Sequence, residues 1–259
     1  SLLVILTHAY PYAPPSEQFL HAELDELSSV FDEIVIFPLS RSAWVKGKNN
    51  IKYQNVYIER IKNRNLLVSI IKILFSITFY KELIYLIATY GFSKKAWRSF
   101  IITSYARIKY AEKVFRILKK RYLIKASNII IYSYWFSHYA NVACVIKDKI
   151  TSLNTGKVHA VARAHGSYDL FLTKETIGYR PYQKELNKKL NAIFSISEMG
   201  ANYLVRNGII ASKIHVSRLG VSNACGLVKY VKDRPVIISC SRLIPDRKST
   251  RLNSSHRIR

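Results

Sequence analysis

The sequence predicts an α/β protein, a parallel sheet with helices on both faces, and three observations predict it. Short apolar runs such as LLVILT and IIIY are separated by stretches of helical period, so the chain opens as strand, helix, strand and later resumes that rhythm. The run VHAVARAHG, Val158 to Gly166, is rich in small residues and stops on a glycine, as a buried strand does when its carboxyl end opens into a loop. In open sheets of this class that edge is the ligand crevice, and an imidazole such as His165 placed there can hydrogen-bond a hydroxyl or phosphate.

Taken in order, Leu2 to Thr7 reads as the first strand, and HAYPYAPPS breaks the pattern with three prolines. Ser16 is suited to cap a helix that places Phe19, Leu20, Leu24 and Leu27 on one face. Glu33 to Pro38 is a second strand and Asn55 to Glu59 a third, more exposed one. None of the nine glycines lies within five residues of another. That spacing removes the dinucleotide fingerprint, the Walker phosphate loop and the nucleophile elbow, and with them the dehydrogenase, P-loop ATPase and serine hydrolase readings.

Leu66 to Phe92 is strongly apolar, but Lys72, Lys81 and Glu82 interrupt it, and its longest uncharged stretch is 11 residues. A bilayer core needs about 20, so two helices near 64–77 and 79–90 are expected in place of a membrane span, buried against protein or, as the alternative, dipping into lipid headgroups. Ser69, Lys72 and Ser76 give the first of them a narrow polar stripe. Ser93 to Lys125 follows with 11 Lys/Arg against the single acid Glu112. There Trp97, Ile101, Tyr105, Ile108, Ala111, Phe115, Leu118 and Tyr122 recur as one face of a long helix would. Together these stretches form a helical insertion around 64–125.

The alternation then resumes with a strand at Ile129 to Tyr134, a helix from Ser137 to about 149 and the strand ending at His165. A cationic helix near 181–190, a strand at Ala192 to Ile196, a helix capped by Ser197 that carries Met199, Tyr203 and Leu204, and a strand at Lys213 to Ser217 complete a domain of residues 1–220. Residues 221–234 read as a linker. Val236 to Cys240 begins a new buried strand, so 235–245 is expected to be the start of a second domain. The stretch DRKSTRLNSSH, from Asp246, is similar to a translated sequencing adapter, and 246–259 is set aside as a non-native tail.

The tail holds five Lys/Arg and one Asp; without it 36 basic residues face 15 acidic ones, an excess of +21 against +25 for the whole chain. Such an excess calls for an anionic partner. An acidic membrane surface and phosphorylated substrates fit. Nucleic acid does not, because no RNP-type strand, GXXG loop or zinc knuckle accompanies the charge. The first residues, SLLVILTH, carry no signal-peptide pattern, and the start is expected to be internal to a longer protein. Cys144, Cys225 and Cys240 are far apart and in no CxxC spacing, which points to reduced thiols and a cytoplasmic location, with a peripheral position on the inner face of the membrane compatible with it.

His138, His159 and His165 lack zinc-site pairing and no Asp-x-Asp occurs, so no metal and no bound cofactor are expected. The pieces YPYAPPSEQFLHAEL, YSYWF, RAHGSYDLF, IFSISEMGANYL, KIHVSRLGV and VIISCSRLIP, in that order, resemble the family 4 glycosyltransferases, above all bacterial members that build surface polysaccharides. The resemblance implies a GT-B fold of two Rossmann-like domains, the first mainly holding acceptor and the second mainly holding donor. It implies metal-independent transfer of a sugar, with retention, from a nucleotide diphosphate to a saccharide or polyprenyl-linked hydroxyl.

By that likeness His165 is the catalytic residue, beside the donor sugar. Glu17, Trp135, Gly166, Asp169 and Ser197 are expected around the substrates, and Arg242 on the donor diphosphate. Pro14 and Pro15 stand where the family commonly has a glycine, a departure that bears on phosphate contact in the first loop. Arg247 and Lys248, at the spacing of the family's second basic contact, fall in the tail. A fragment lacking most of its donor half is expected to be inactive alone, since closing the cleft takes both sides. Two other readings are a sugar-nucleotide epimerase on the same fold and a non-catalytic basic module that binds membranes through residues 66–125.

Overall fold

The computed structural model describes residues 1–12, 17, 19–40, 53–61, 71, 73, 75–124, 126–154, 156–166, 169–170 and 178–220. Seven strands form one sheet: β1 (Leu2–Thr7), β2 (Glu33–Pro38), β3 (Val56–Ile58), β4 (Asn128–Ser133), β5 (Lys157–Ala164), β6 (Ala192–Ser195) and β7 (Ile214–Val216). All pairs are parallel and the order is β3-β2-β1-β4-β5-β6-β7. The helices are α1 (Phe19–Val30), α2 (Ile77–Tyr90), α3 (Lys94–Arg121), α4 (His138–Thr151), α5 (Gln183–Lys189) and α6 (Glu198–Arg206). The chain is therefore α/β and Rossmann-like, with α2 and α3 as the expected helical insertion between β3 and β4.

Strand alternation sorts the core into two layers. Leu2, Val4 and Leu6 of β1 face one side with Val35 and Phe37 of β2, under α3, α4 and Leu204 of α6. Leu3 and Ile5 face the other with Ile34 and Ile36, under Leu20 and Leu24 of α1. Since both faces of β1 are completely covered, its run is apolar throughout, as the parallel sheet requires. β5 begins beside β4 at Gly156, whose φ is +134° and where an added Cβ would lie 2.2 Å from the Ser127 carbonyl oxygen. Only glycine fits there.

Three expectations about helix faces are corrected. Phe19 is 47% exposed and Met199 76% exposed, because the faces of α1 and α6 that meet the sheet are set by Leu20 and Leu24 and by Ala201 and Leu204. In α3 the buried face runs through Ala96, Phe100, Thr103, Ala106, Arg107, Ala111, Val114 and Leu118, which leaves Ile101 58% exposed. Hydropathy could not find Arg107. Its guanidinium is buried, donating to Asn141 Oδ1 at 2.9 Å, paired with Glu185 and 4.0 Å from the Tyr182 ring centre, so that α3, α4 and α5 converge on one cation. Most of the expected helix near 64–77, Ser16 and all that follows residue 220 lie outside the described residues.

Candidate ligand site at the carboxyl edge of the sheet

β1, β4, β5 and β6 end side by side, and the loops that leave them hold the expected site residues with the exception of Arg242, which lies outside the described residues. Thr7 and Ser133 close their strands with buried hydroxyls; Thr7 Oγ1 donates to the Tyr10 carbonyl at 3.1 Å and Ser133 Oγ to the Trp135 carbonyl at 2.7 Å. Each hydroxyl turns the chain sharply at the strand end, so the next side chains stand at the edge instead of continuing the ladder.

The first loop is organised around Glu17. Its carboxylate accepts from the successive backbone N–H groups of His8, Ala9 and Tyr10 at 2.6, 2.8 and 2.7 Å, and from Trp135 Nε1 at 2.5 Å. Glu17 is 5% exposed and sits at φ +63°, a left-handed conformation that these four bonds hold in place. Three consecutive amides pointing at one anion form a nest of the kind that holds phosphate after the first strand of many nucleotide-binding sheets. Here the chain's own carboxylate fills it, so the amides of His8, Ala9 and Tyr10 are already taken up. Glu17 shapes the site without presenting its carboxylate to solvent.

Trp135 carries the link onward. Its ring lies against the His165 ring with centroids 4.6 Å apart, and the Tyr134 ring meets the same imidazole at 4.8 Å, tilted by 55°. His165 Nε2 is 2.8 Å from the Tyr134 carbonyl oxygen, and because a carbonyl only accepts, Nε2 carries the proton and Nδ1 keeps its lone pair. Burial, with the nearby charge of Arg163, lowers the imidazole pKa to about 4 against the opposing pull of the Tyr134 carbonyl. His165 is thus neutral at physiological pH: an oriented hydrogen-bonding ring rather than a charge.

Asp169 lies beneath it, fully buried. The carboxyl accepts the His165 backbone N–H at 3.0 Å, while burial pushes its pKa up to about 7. Arg180, also buried, reaches the Asp169 carbonyl oxygen at 3.4 Å and lies 4.7 Å from the Phe136 ring centre. Asp169 was expected near substrate; its burial makes it a support that fixes where the backbone leaves β5. Gly166, next to the imidazole, is exposed, and an added Cβ there would meet no described atom within 4 Å.

Ser197 caps α6, accepting from the Gly200 N–H at 3.1 Å, and Ser195 Oγ donates to the Ser197 carbonyl at 2.9 Å. A Cβ on Gly200 would come within 2.6 Å of Ser195 Oγ and 3.2 Å of Ser197 Oγ, and 3.7 Å from Leu170, so this cap is packed directly against the loop that follows His165.

Glu17, Trp135, His165 and Asp169 therefore form one connected chain across three loops, with Gly166 and Ser197 at its margin. Sequence reading passed over His8, Tyr139 and Arg180. His8 is exposed at the end of β1, with Nδ1 2.9 Å from the Tyr139 hydroxyl. The signal for it was the Thr7-His8 pair at a strand end, the counterpart of Ala164-His165. For Arg180 there was none, since its role depends on a fold-back of the chain. Among the described residues no group of His, Cys, Asp and Glu is arranged to hold a metal ion.

No family model and no curated sequence matches this chain. Among solved structures it is similar to the apo form of the lipopolysaccharide outer core galactosyltransferase WaaB, with a TM-score of 0.50 and 13% identity, over 91% of this chain and 50% of that one. A second is the UDP-N-acetylglucosamine 2-epimerase from Rickettsia bellii, with a TM-score of 0.40 and 13% identity, over 82% of this chain and 43% of that one. The chain spans about half the length of these proteins. What the chain shares with the galactosyltransferase structure is the fold, a Rossmann-like parallel sheet.

Proposed function

We propose that this chain is the acceptor-side half of a retaining, metal-independent glycosyltransferase that moves a sugar from a nucleotide diphosphate to a hydroxyl of a saccharide or polyprenyl-linked acceptor, in surface polysaccharide synthesis. The observation that carries the reading is His165, kept neutral by burial and oriented by Tyr134, Trp135 and Asp169 at the carboxyl edge of a parallel sheet. In the transfer the bond between the anomeric carbon and the diphosphate breaks, a bond to the acceptor oxygen forms, and the acceptor proton leaves with the diphosphate. His165 accepts a sugar hydroxyl at Nδ1, positioning the ring for that exchange without adding charge. The resemblance assigns the donor diphosphate to Arg242.

The reading is tested by incubating radiolabelled nucleotide sugars with a panel of saccharide and lipid-linked acceptors, using this chain and a chain extended by its natural downstream sequence. Label in the acceptor from the extended chain, lost in His165→Ala, supports it. Isomerisation of the nucleotide sugar with no acceptor present would make the protein an epimerase instead, and an extended, folded chain inert toward every donor would count against both.

A further inference from the structure

Helix α2 has two apolar faces, and the structure covers one of them. Phe79, Leu83, Leu86 and Tyr90 pack with Trp97, Phe100, Tyr179 and Tyr182 into a small core of their own. On the other side Ile77, Tyr80, Ile84 and Ile87 recur at helical spacing and are 74%, 45%, 67% and 46% exposed. Phe75 and Phe92, at either end of the helix, are 84% and 87% exposed. Single exposed apolar side chains are ordinary; a continuous stripe along a helix marks a surface that meets something.

The charges around the stripe say what it meets. Lys81, Lys94 and Arg98 are exposed, and the single acid between residues 75 and 98 is Glu82. Glu82 turns inward, accepting from the Tyr179 hydroxyl at 2.7 Å. The outer surface of this segment is thus apolar and cationic. Against a second copy of itself those cations would meet like charge, whereas an anionic lipid surface offers both hydrocarbon and counter-charge. α2 has 14 residues, and no helix among the described residues is long and apolar enough to cross a membrane, so a bilayer met by this stripe would run along the helix.

We propose that α2 docks the protein on an anionic bilayer, with Ile77, Tyr80, Ile84 and Ile87 in the headgroup and acyl boundary and Lys81, Lys94 and Arg98 on lipid phosphates. This goes beyond the sugar-transfer reading and uses none of the residues at the sheet edge.

Vesicle co-sedimentation of the 259-residue chain tests it. Binding to phosphatidylcholine vesicles containing roughly one-third phosphatidylglycerol is expected to be about tenfold or more tighter than to phosphatidylcholine alone, and to weaken as salt rises from about 0.05 to about 0.5 M. The triple variant Ile77→Ser, Ile84→Ser, Ile87→Ser is expected to lose about tenfold or more of that affinity with its thermal melt unchanged. Should that variant fail to fold, Ile84→Trp decides: brominated lipid quenches its added fluorescence if the stripe is immersed. Equal binding to both vesicle types, wild-type affinity in the folded triple variant, or an Ile84→Trp signal untouched by brominated lipid would overturn the proposal. So would self-association that the triple variant abolishes in a chain that binds no vesicle, which would make a second copy the occupant.

Discussion

The indole of Trp135 joins two loops that are 118 residues apart in sequence at its hydrogen bond: Nε1–H donates to Glu17 while the ring rests on the imidazole of His165. Because Glu17 also gathers the amides of His8, Ala9 and Tyr10, its loss is expected to reach beyond one contact. Glu17→Ala should destabilise the fold by roughly 3 kcal/mol or more, since several donors are left without their acceptor and each buried one costs roughly 1–3 kcal/mol. It should also empty the amide nest. Sulfate or phosphate should therefore raise the melting temperature of Glu17→Ala by more than that of the wild type; equal shifts in both would argue against the nest.

His165 makes stability depend on pH with a definite sign. Its folded pKa of about 4 lies below the ordinary 6.5, so the folded state resists taking up the proton. The neutral ring's contribution is complete above 6.5 and is lost as pH falls toward 4. His165→Gln lacks this term, and the stability advantage of wild type over the variant should shrink by on the order of 2 kcal/mol across that window. Chemical denaturation at several pH values measures it, and a constant difference would contradict the burial assigned to the ring.

Asp169 has the opposite sign. With a folded pKa raised from 3.8 to about 7, its protonated form is favoured in the folded state, so its contribution falls as pH climbs between those values. Asp169→Asn removes the titration but keeps the shape. Its stability relative to wild type should therefore rise with pH over that range, the reverse of the His165→Gln trend. The same denaturation series separates the two.

At the cap of α6, Gly200→Ala forces a Cβ against Ser195 Oγ and should cost about 1–3 kcal/mol. Adding Ser195→Ala removes the closest clash, so the double variant should recover part of that loss even though Ser195 gives up its bond to the Ser197 carbonyl. Additive losses would mean that the helix is not packed against β6 as described.

The sheet was legible because its strands are apolar runs bounded by turns: β1 and β2 fall where the sequence places them, and β5 ends at Ala164, one residue before the His165 that its small residues and terminal glycine pointed to. Ser197 was legible as a cap for the same local reason. What sequence could not supply is where a side chain points once distant segments meet. Glu17 was expected around the substrates, yet amides and an indole from two loops surround it. Asp169 looked like a ligand contact, yet the return of Arg180 and Phe136 seals it in. Arg107 sits in the most basic stretch of the chain and is nevertheless core, because its partners come from α4 and α5.

The most direct test of the account is nuclear magnetic resonance of the histidine rings during titration with nucleotide sugars and candidate acceptors. His165 lies at the carboxyl edge of β5 and the exposed His159 near the opposite end of the same strand, so the two report on the two edges of one sheet. The account predicts that a ligand shifts His165 and the Trp135 indole proton saturably and leaves His159 unmoved. A ligand that binds while shifting His159, or while leaving His165 untouched, would place the site elsewhere and contradict it.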